Sequence, residues 1–164
     1  MKKVAIVMGS ASDLPVCEKA AAALREYGVP FEVRVLSAHR TPEQAAAFAA
    51  NAREAGFGAI LAFAGMAAHL AGALAARTTL PVIGVPVKSK ALDGIDALLS
   101  TVQMPSGIPV AAVGIDGAVN AALLSVEILA VSEPALAEKL EEKRREAAGK
   151  VLEADQSIQQ QYAD

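Results

Sequence analysis

The sequence predicts an α/β fold in which helices cover both faces of a five-stranded parallel sheet. Two observations support this prediction. Short apolar runs alternate with segments of helical periodicity, the pattern of right-handed strand–helix–strand crossovers. The third run, residues 59–64, is apolar at every position, as expected for a strand that is buried on both sides. Five such strands in 164 residues fit a three-layer, flavodoxin-like domain with a long C-terminal helix.

The first strand–helix unit begins with an apolar strand at residues 4–8. Ser12 or Asp13 is expected to cap the helix that follows, because short polar side chains accept hydrogen bonds from free amides at a helix start. The helix runs to about residue 27, where Gly28 can take the left-handed conformation that ends helices.

The second unit begins with a strand at residues 31–36 and continues with a helix at residues 42–55. Thr41 and Gln44 have the spacing of a capping box, in which the two residues satisfy each other's free amides. Pro at the first helical position favours the same start, and Gly56 is expected to end the helix.

The remaining units repeat the alternation of strand and helix. Strands are predicted at residues 59–64, 81–85 and 110–114, and helices at residues 67–77, 94–101 and 118–131. No internal repeat and no linker rich in Gly, Pro or Ser interrupts them, so residues 1–164 are interpreted as a single domain.

The last helix is predicted at residues 133–160, with Ser132 as its cap. Glu141 and Arg145 are four residues apart and can pair on its solvent side. Its apolar positions form a narrow stripe of Leu136, Leu140, Ala147, Val151 and Ile158. Such a stripe covers little of the chain's own core, which favours packing on a neighbouring subunit over a solvated tail that frays.

Composition excludes several classes of function. A net charge of −3, without basic stretches interleaved with aromatics, argues against a nucleic-acid surface. The single cysteine, Cys17, excludes an internal disulfide and a multi-cysteine metal site, and it is interpreted as a core residue. The apolar run at the start of the chain breaks at Gly9, too early for a signal peptide. Residues 59–74 contain interruptions that disfavour a membrane span, so a cytoplasmic protein is expected.

Two loops at the predicted carboxyl edge of the sheet contain the chain's two histidines. His39 and Arg40 follow the second strand, and His69 follows the third. Ligands of parallel α/β sheets bind at this edge. A titratable imidazole beside a fixed cation suggests acid–base chemistry on an anionic substrate. A structural histidine, hydrogen-bonded in the core, is the alternative for each ring, and two histidines without a supporting cluster predict no metal site.

The loop after the first strand combines Gly9 with Ser10, Ser12 and Asp13 at a helix start. Free amides and hydroxyls at such a position can cradle a phosphate, although Ser12 and Asp13 also suit ordinary capping. The loop that carries His69 is rich in small residues, which let backbone amides approach a ligand closely.

Five segments together resemble the bacterial N5-carboxyaminoimidazole ribonucleotide mutases of purine biosynthesis, and the likeness covers about residues 3–131. The segments are residues 8–13 (MGSASD), 37–42 (SAHRTP), 67–70 (AAHL), 81–87 (PVIGVPV) and 102–110 (VQMPSGIPV). The resemblance implies a homo-octamer with shared active sites. It also implies transfer of a carboxylate from the exocyclic nitrogen to C4 of an imidazole ribonucleotide, without metal, ATP or other cofactor.

By position, the resemblance implies His39 as the general acid–base of a decarboxylation and recarboxylation. It places Ser10, Ser12 and Asp13 at the ribose phosphate end, and Arg40 on an anionic group. The other implied substrate-binding residues are Ser37, Ala38, Gly65, Ala67, His69 and Leu70. A single imidazole near neutral pKa can give a proton to the departing nitrogen and later take one from C4.

The chain departs from the family's usual sequence at three positions, of which Met66 lies beside the expected CO2 pocket. Phe63 and Met66 stand where the family usually has glycine, and Ala71 stands where it has proline. Met66 either narrows that pocket or points into the core. These changes bear on substrate affinity and rate more than on reaction type.

Other functions stay open at this point. Animal-type carboxylases of the same fold take free CO2 directly, but they have a different sequence in place of residues 67–70. Another relative carboxylates a pyridine nucleotide and has additional sequence. A non-catalytic mononucleotide-binding module would not need His39 beside Arg40. An inactive structural oligomer is disfavoured for the same reason.

Overall fold

In the computed structural model, which describes residues 1–163, one parallel sheet forms the centre of the molecule. The sheet contains five strands, β1 (Lys3–Met8), β2 (Phe31–Val35), β3 (Phe57–Gly65), β4 (Val82–Val87) and β5 (Ala111–Ala112). Their spatial order is β2-β1-β3-β4-β5, and every neighbouring pair is parallel. This is the flavodoxin-like order, so the predicted fold class is confirmed.

Six α-helices and one 3-10 turn connect or follow these strands in the described residues. The turn is Ala11–Asp13, and the helices are α1 (Leu14–Tyr27), α2 (Pro42–Asn51), α3 (Leu70–Ala75), α4 (Ile95–Val102), α5 (Ala118–Ala130) and α6 (Pro134–Gln161). Helices α1 and α5 pack on one face of the sheet, and α2, α3 and α4 pack on the other.

Alternate residues of the central strands fill two separate cores. In β1, Val4 and Ile6 belong to the core beneath α1 and α5, whereas Ala5 and Val7 belong to the core beneath α2 and α3. All four side chains are fully buried. Strands buried on both faces must be apolar at every position, which is why the apolar runs were continuous in the sequence.

Several element boundaries differ from those predicted, among them those of α2, α3 and β5. Helix α2 ends at Asn51, and the chain reaches Gly56 through turns. The Ala52 and Gly56 amides donate to carbonyls three residues earlier, so the regular helical hydrogen bonding is not continued. Helix α3 begins only at Leu70. Strand β5 has two residues, because the chain after Ala112 turns into the start of α5 and pairs only with the edge of β4.

The predicted capping box at Thr41 is wrong. The Thr41 hydroxyl oxygen instead accepts a hydrogen bond from the Ser37 amide at 2.9 Å and lies 3.1 Å from the Ser37 carbonyl oxygen, so it closes the preceding loop. A capping box forms at Ser10, whose hydroxyl accepts from the Ser12 amide while the Asp13 carboxylate accepts from the Ser10 amide. Ser10 therefore caps the 3-10 turn that leads into α1. Asp13 stands at the N-cap position of α1, as one of the two predicted residues, but its side chain makes no capping hydrogen bond to that helix.

Helix α6 also begins differently from the prediction. The Ser132 hydroxyl donates to the Leu129 carbonyl at 3.3 Å and does not cap α6. Leu136 and Leu140 are buried against the rest of the chain. The later stripe positions Ala147, Val151 and Ile158 are exposed. The predicted stripe thus covers the chain's own core only in its first third.

The predicted pair of Glu141 and Arg145 forms on the surface of α6, at 3.8 Å. Within residues 1–163, no helix combines the length and the apolar composition that a membrane crossing requires.

Cys17 lies on the buried face of α1, as predicted, with 1% of its surface exposed. Burial raises the pKa of its thiol from 9.0 to about 12, and the nearby Asp13 carboxylate acts in the same direction. We expect the native thiol to resist an aromatic disulfide reagent at about pH 8 and to react once denatured, because the thiolate is the reactive form.

The same shift predicts a pH dependence of stability. The folded-state pKa of Cys17 is raised, so its contribution is fully present below pH 9.0 and is lost as pH rises toward about 12. A Cys17→Ala variant should therefore lose less free energy of unfolding over this interval than the unchanged protein in denaturant titrations. An equal loss in both proteins, or rapid native modification, would contradict the assignment.

Candidate active site

A cavity of about 460 Å³ opens beyond the carboxyl ends of β1, β3 and β4. The loops after these strands and after β2 line it. All eleven residues that the sequence analysis selected lie around this one cavity: Ser10, Ser12, Asp13, Ser37, Ala38, His39, Arg40, Gly65, Ala67, His69 and Leu70. The connection after β1 runs to β2 and the connection after β3 runs to β4, in opposite directions, and open α/β sheets have their ligand crevice between two such strands.

The loop after β1 forms one wall and presents hydroxyls and a carboxylate. The Ser12 hydroxyl lies 2.9 Å from the Ser10 hydroxyl, and the Ser10 amide donates to the Asp13 carboxylate at 3.2 Å. Burial raises the pKa of Asp13, and the hydrogen bond from the Ser10 amide partly offsets that rise. The loop is thus held in shape by its own side chains at the start of the first helix.

The loop after β2 forms the second wall. The Arg40 amide donates to the Ser37 hydroxyl at 3.1 Å, and the Thr41 hydroxyl holds the Ser37 backbone. These contacts fix a tight turn. The side chains of His39 and Arg40 extend from this turn, line the cavity and are exposed.

The two histidines, 30 residues apart in sequence, meet in this cavity. Nε2 of His39 lies 2.8 Å from Nδ1 of His69, and the rings are nearly perpendicular with centroids 5.0 Å apart. One ring must donate and the other accept, since a neutral imidazole has one N–H. The sequence placed each histidine at the same edge of the sheet but did not predict this contact.

Met66 occupies the loop after β3 in a left-handed conformation, with φ of 53°. A side chain at such a φ costs about 1 kcal/mol, which explains why glycine suits this position. Its side chain is 65% exposed and lines the cavity, so it does not point into the core. Phe63, by contrast, is fully buried in the core beneath α1 and α5.

Three cavity residues were missed by the sequence analysis: Val87, the last residue of β4, and Lys88 and Ser89, which follow it. The Lys88 amide donates to the Asp116 carboxylate at 2.9 Å, and its ammonium group lies 3.3 Å from Asp93. The buried Ser89 hydroxyl oxygen has no hydrogen-bond partner. The signal was a polar Lys-Ser-Lys run directly after an apolar strand, at the same edge as the other loops.

The arrangement has the charges and groups for proton transfer on an anionic ligand. Arg40 and Lys88 supply positive charge, Asp13 supplies a buried carboxyl group, and the histidine pair supplies imidazole nitrogens that can donate or accept a proton. Among residues 1–163, no group of three or more His, Cys, Asp or Glu side chains is placed to hold a metal ion.

Comparison with known proteins agrees with the fold. Residues 3–150 match the family model described as AIR carboxylase. The N5-carboxyaminoimidazole ribonucleotide mutase of Pyrococcus abyssi is 59% identical over 146 residues, which cover 89% of this chain and 84% of the relative.

Two further matches extend the comparison. The phosphoribosylaminoimidazole carboxylase of Saccharomyces cerevisiae is 54% identical over 139 residues, which cover 85% of this chain but 24% of the yeast protein. The crystal structure of Treponema denticola PurE superposes with a TM-score of 0.86 at 30% identity, and covers 94% of this chain and 97% of that one.

Proposed function

The chain belongs to the AIR carboxylase family, and we propose that it is the enzyme that converts N5-carboxyaminoimidazole ribonucleotide to 4-carboxy-5-aminoimidazole ribonucleotide in purine biosynthesis. The observation that carries this proposal is the contact of His39 with His69 inside a cavity that also holds Arg40. Relatives named as the mutase, at 52–59% identity in Bacillus subtilis and Pyrococcus abyssi, support the isomerase over a binding module.

The two walls of the cavity divide the work of binding. The hydroxyls of Ser10 and Ser12 and the carboxyl group of Asp13 face the ribose phosphate end of the substrate. Arg40 contacts an anionic group, because a guanidinium binds phosphate and carboxylate oxygens with charge-assisted hydrogen bonds. The loops of residues 37–38, 65–67 and 70 enclose the imidazole.

His39 acts as the general acid–base. The bond between the exocyclic nitrogen and its carboxylate breaks to release CO2, and a proton passes from His39 to that nitrogen. C4 of the resulting aminoimidazole ribonucleotide then attacks the retained CO2, and the C4 proton returns to the imidazole. The overall reaction moves one carboxylate and returns the enzyme to its starting protonation state.

Retention of CO2 requires a closed cavity. The side chain of Met66 extends from the cavity wall and narrows the space in which CO2 is held. His69 completes the wall beside His39 and is hydrogen-bonded to it. The protein needs no metal, ATP or other cofactor for these steps.

Direct carboxylation of aminoimidazole ribonucleotide by free CO2 is the alternative reaction of this cavity. The match to the yeast carboxylase favours it, because 54% identity extends over most of this chain. Residues 67–70 favour the mutase, since the resemblance to mutases includes them.

We place the protein in the cytoplasm and in a homo-octamer in which α6 packs on a neighbouring subunit. The exposed Val151 and Ile158 on α6 support this assembly, because they have no cover within the described chain. Light scattering of the purified protein would test it, and a monomeric mass would contradict the proposal.

A spectrophotometric assay of 4-carboxy-5-aminoimidazole ribonucleotide consumption tests the function. The reaction is run in reverse without ATP or metal, with and without bicarbonate. Formation of the N-carboxylated isomer supports the mutase. Release of only aminoimidazole ribonucleotide and CO2 assigns the direct carboxylase, and absence of turnover with tight nucleotide binding assigns the binding module.

A further inference from the structure

The loop that carries His69 is attached to α4 by one side chain, that of Ser100. The Ala68 amide donates a hydrogen bond to the Ser100 hydroxyl oxygen at 3.0 Å, across 32 residues of sequence. The Met66 carbonyl oxygen lies 3.3 Å from the same hydroxyl. A side chain outside the cavity lining thus holds the backbone of a cavity loop from behind.

The single proton of the Ser100 hydroxyl has a better partner inside α4. The hydroxyl oxygen lies 2.8 Å from the Asp96 carbonyl oxygen and 3.2 Å from that of Ala97. Donation to the nearer carbonyl leaves the lone pairs of the hydroxyl free to accept from the Ala68 amide. Ser100 therefore bridges the two elements: its hydroxyl donates to a carbonyl of α4, and its hydroxyl oxygen accepts from the Ala68 amide of the loop.

Helix α4 is a firm support for this bridge because it packs unusually close to the sheet. A Cβ atom at Gly84 of β4 would lie 2.3 Å from Cγ2 of Thr101, so only glycine permits this approach. Ala97 and Thr101 are buried on this side of α4. The hydroxyl of Ser100 is consequently fixed relative to β4.

The loop transmits this position to His69. Ala68 is 2% exposed, and a buried amide needs a hydrogen-bond partner. The His69 amide donates to the Ala67 carbonyl at 2.9 Å, which makes residues 67–69 one tight turn. A shift of the Ala68 amide therefore moves the ring of His69, which lies 2.8 Å from His39.

We propose that Ser100 is a positioning residue for the reaction, because it holds His69 in hydrogen-bond contact with His39. This inference rests on the proposed function. It assigns a role to a residue of α4 that lies outside the cavity lining.

The first test is Ser100→Ala in the carboxylate-transfer assay. We expect kcat to fall by about tenfold, the loss expected for His69→Asn, because Ser100 acts through His69 and a displaced catalytic group reacts more slowly. KM should change less than about twofold, because the phosphate end is held by a separate loop at Ser10 and Asp13. Ser100→Thr retains the hydroxyl and should recover most of kcat.

Ser125→Ala is the matched control. Ser125 is buried on α5, and its hydroxyl donates to the Ala122 carbonyl at 2.7 Å within the same helix. This variant removes a helical serine hydroxyl without touching the cavity loops, so its kcat should stay near that of the unchanged protein. A kcat of Ser100→Ala within about twofold of this control would overturn the proposal.

A double-mutant cycle tests whether Ser100 acts through His69. If it does, the double variant should have a kcat within about twofold of that of the His69→Asn single variant. Full addition of the two separate losses would overturn the proposal, because Ser100 would then act by another route.

Amide exchange separates this proposal from the proposed function. The Ala68 amide should exchange faster with solvent deuterium in Ser100→Ala than in the unchanged protein, and at an unchanged rate in Ser125→Ala. If the unchanged protein turns over no substrate, the proposed function fails, yet exchange still reports on the bridge. Equal exchange in all three proteins would overturn the bridge itself.

Discussion

A His39→Asn variant should bind the ribonucleotide but lose carboxylate transfer by about 100- to 10,000-fold in kcat, the range of general acid–base catalysis. Asparagine is polar and close in size, so it preserves the loop, whose shape depends on Ser37 and Thr41. It cannot gain or lose a proton near neutral pH. Steady-state assay of kcat, together with calorimetric titration of 4-carboxy-5-aminoimidazole ribonucleotide, measures the two effects separately.

His69→Asn is the matched control for this experiment. The two rings share one hydrogen bond of 2.8 Å, so each variant removes one partner from the same contact. If His69 only orients and exchanges protons with His39, its loss should be smaller, about tenfold. Near-normal turnover of His39→Asn would reject the mechanism, and a larger loss at His69 would exchange the two roles.

The sequence predicted the order of elements well because continuous apolar runs leave few alternatives to buried parallel strands. The boundaries that differ are those set by loop geometry. Helix α3 starts at Leu70 because Met66 takes a positive φ and residues 67–69 form a tight turn. Neither feature can be predicted from a run of small residues. The local sequence of residues 67–69 therefore predicted helix.

The candidate site was predicted as a set of loops rather than as a set of contacts. The carboxyl ends of parallel strands lie at one edge, so His39 and His69 had to be near each other. Their hydrogen bond depends on the rotation of each loop, and local sequence does not encode that rotation. The Thr41 hydroxyl illustrates this, since it closes its own loop instead of capping α2.

The loop after β4 was missed for a related reason. Its strand continues to Val87, two residues beyond the predicted end, and this extension carries Lys88 and Ser89 to the cavity. Asp116 then fixes the loop through the Lys88 amide. That contact spans 28 residues and joins two loops, so no local pattern could have revealed it.

An Arg40→Leu variant should raise KM for the ribonucleotide about 10- to 100-fold with little change in kcat. Arg40 is exposed at the cavity, and among residues 1–163 no carboxylate forms an ion pair with it. Its guanidinium is therefore available to the substrate. Loss of a charge-assisted hydrogen bond costs about 1.5–3 kcal/mol, which corresponds to this range of affinity.

Arg34→Leu provides the control, because Arg34 on β2 lies outside the cavity lining. Its guanidinium lies over the ring of Phe48, 5.4 Å from the ring centroid. It changes the net charge equally and should leave KM within about twofold. Arg40→Lys separates charge from geometry: a lysine keeps the charge but lacks the planar fork, so a partial rise in KM is expected. If Arg40→Leu and Arg34→Leu have the same KM at low salt, Arg40 does not contact the substrate. The second cation at the cavity, Lys88, would then be the candidate for the anionic group.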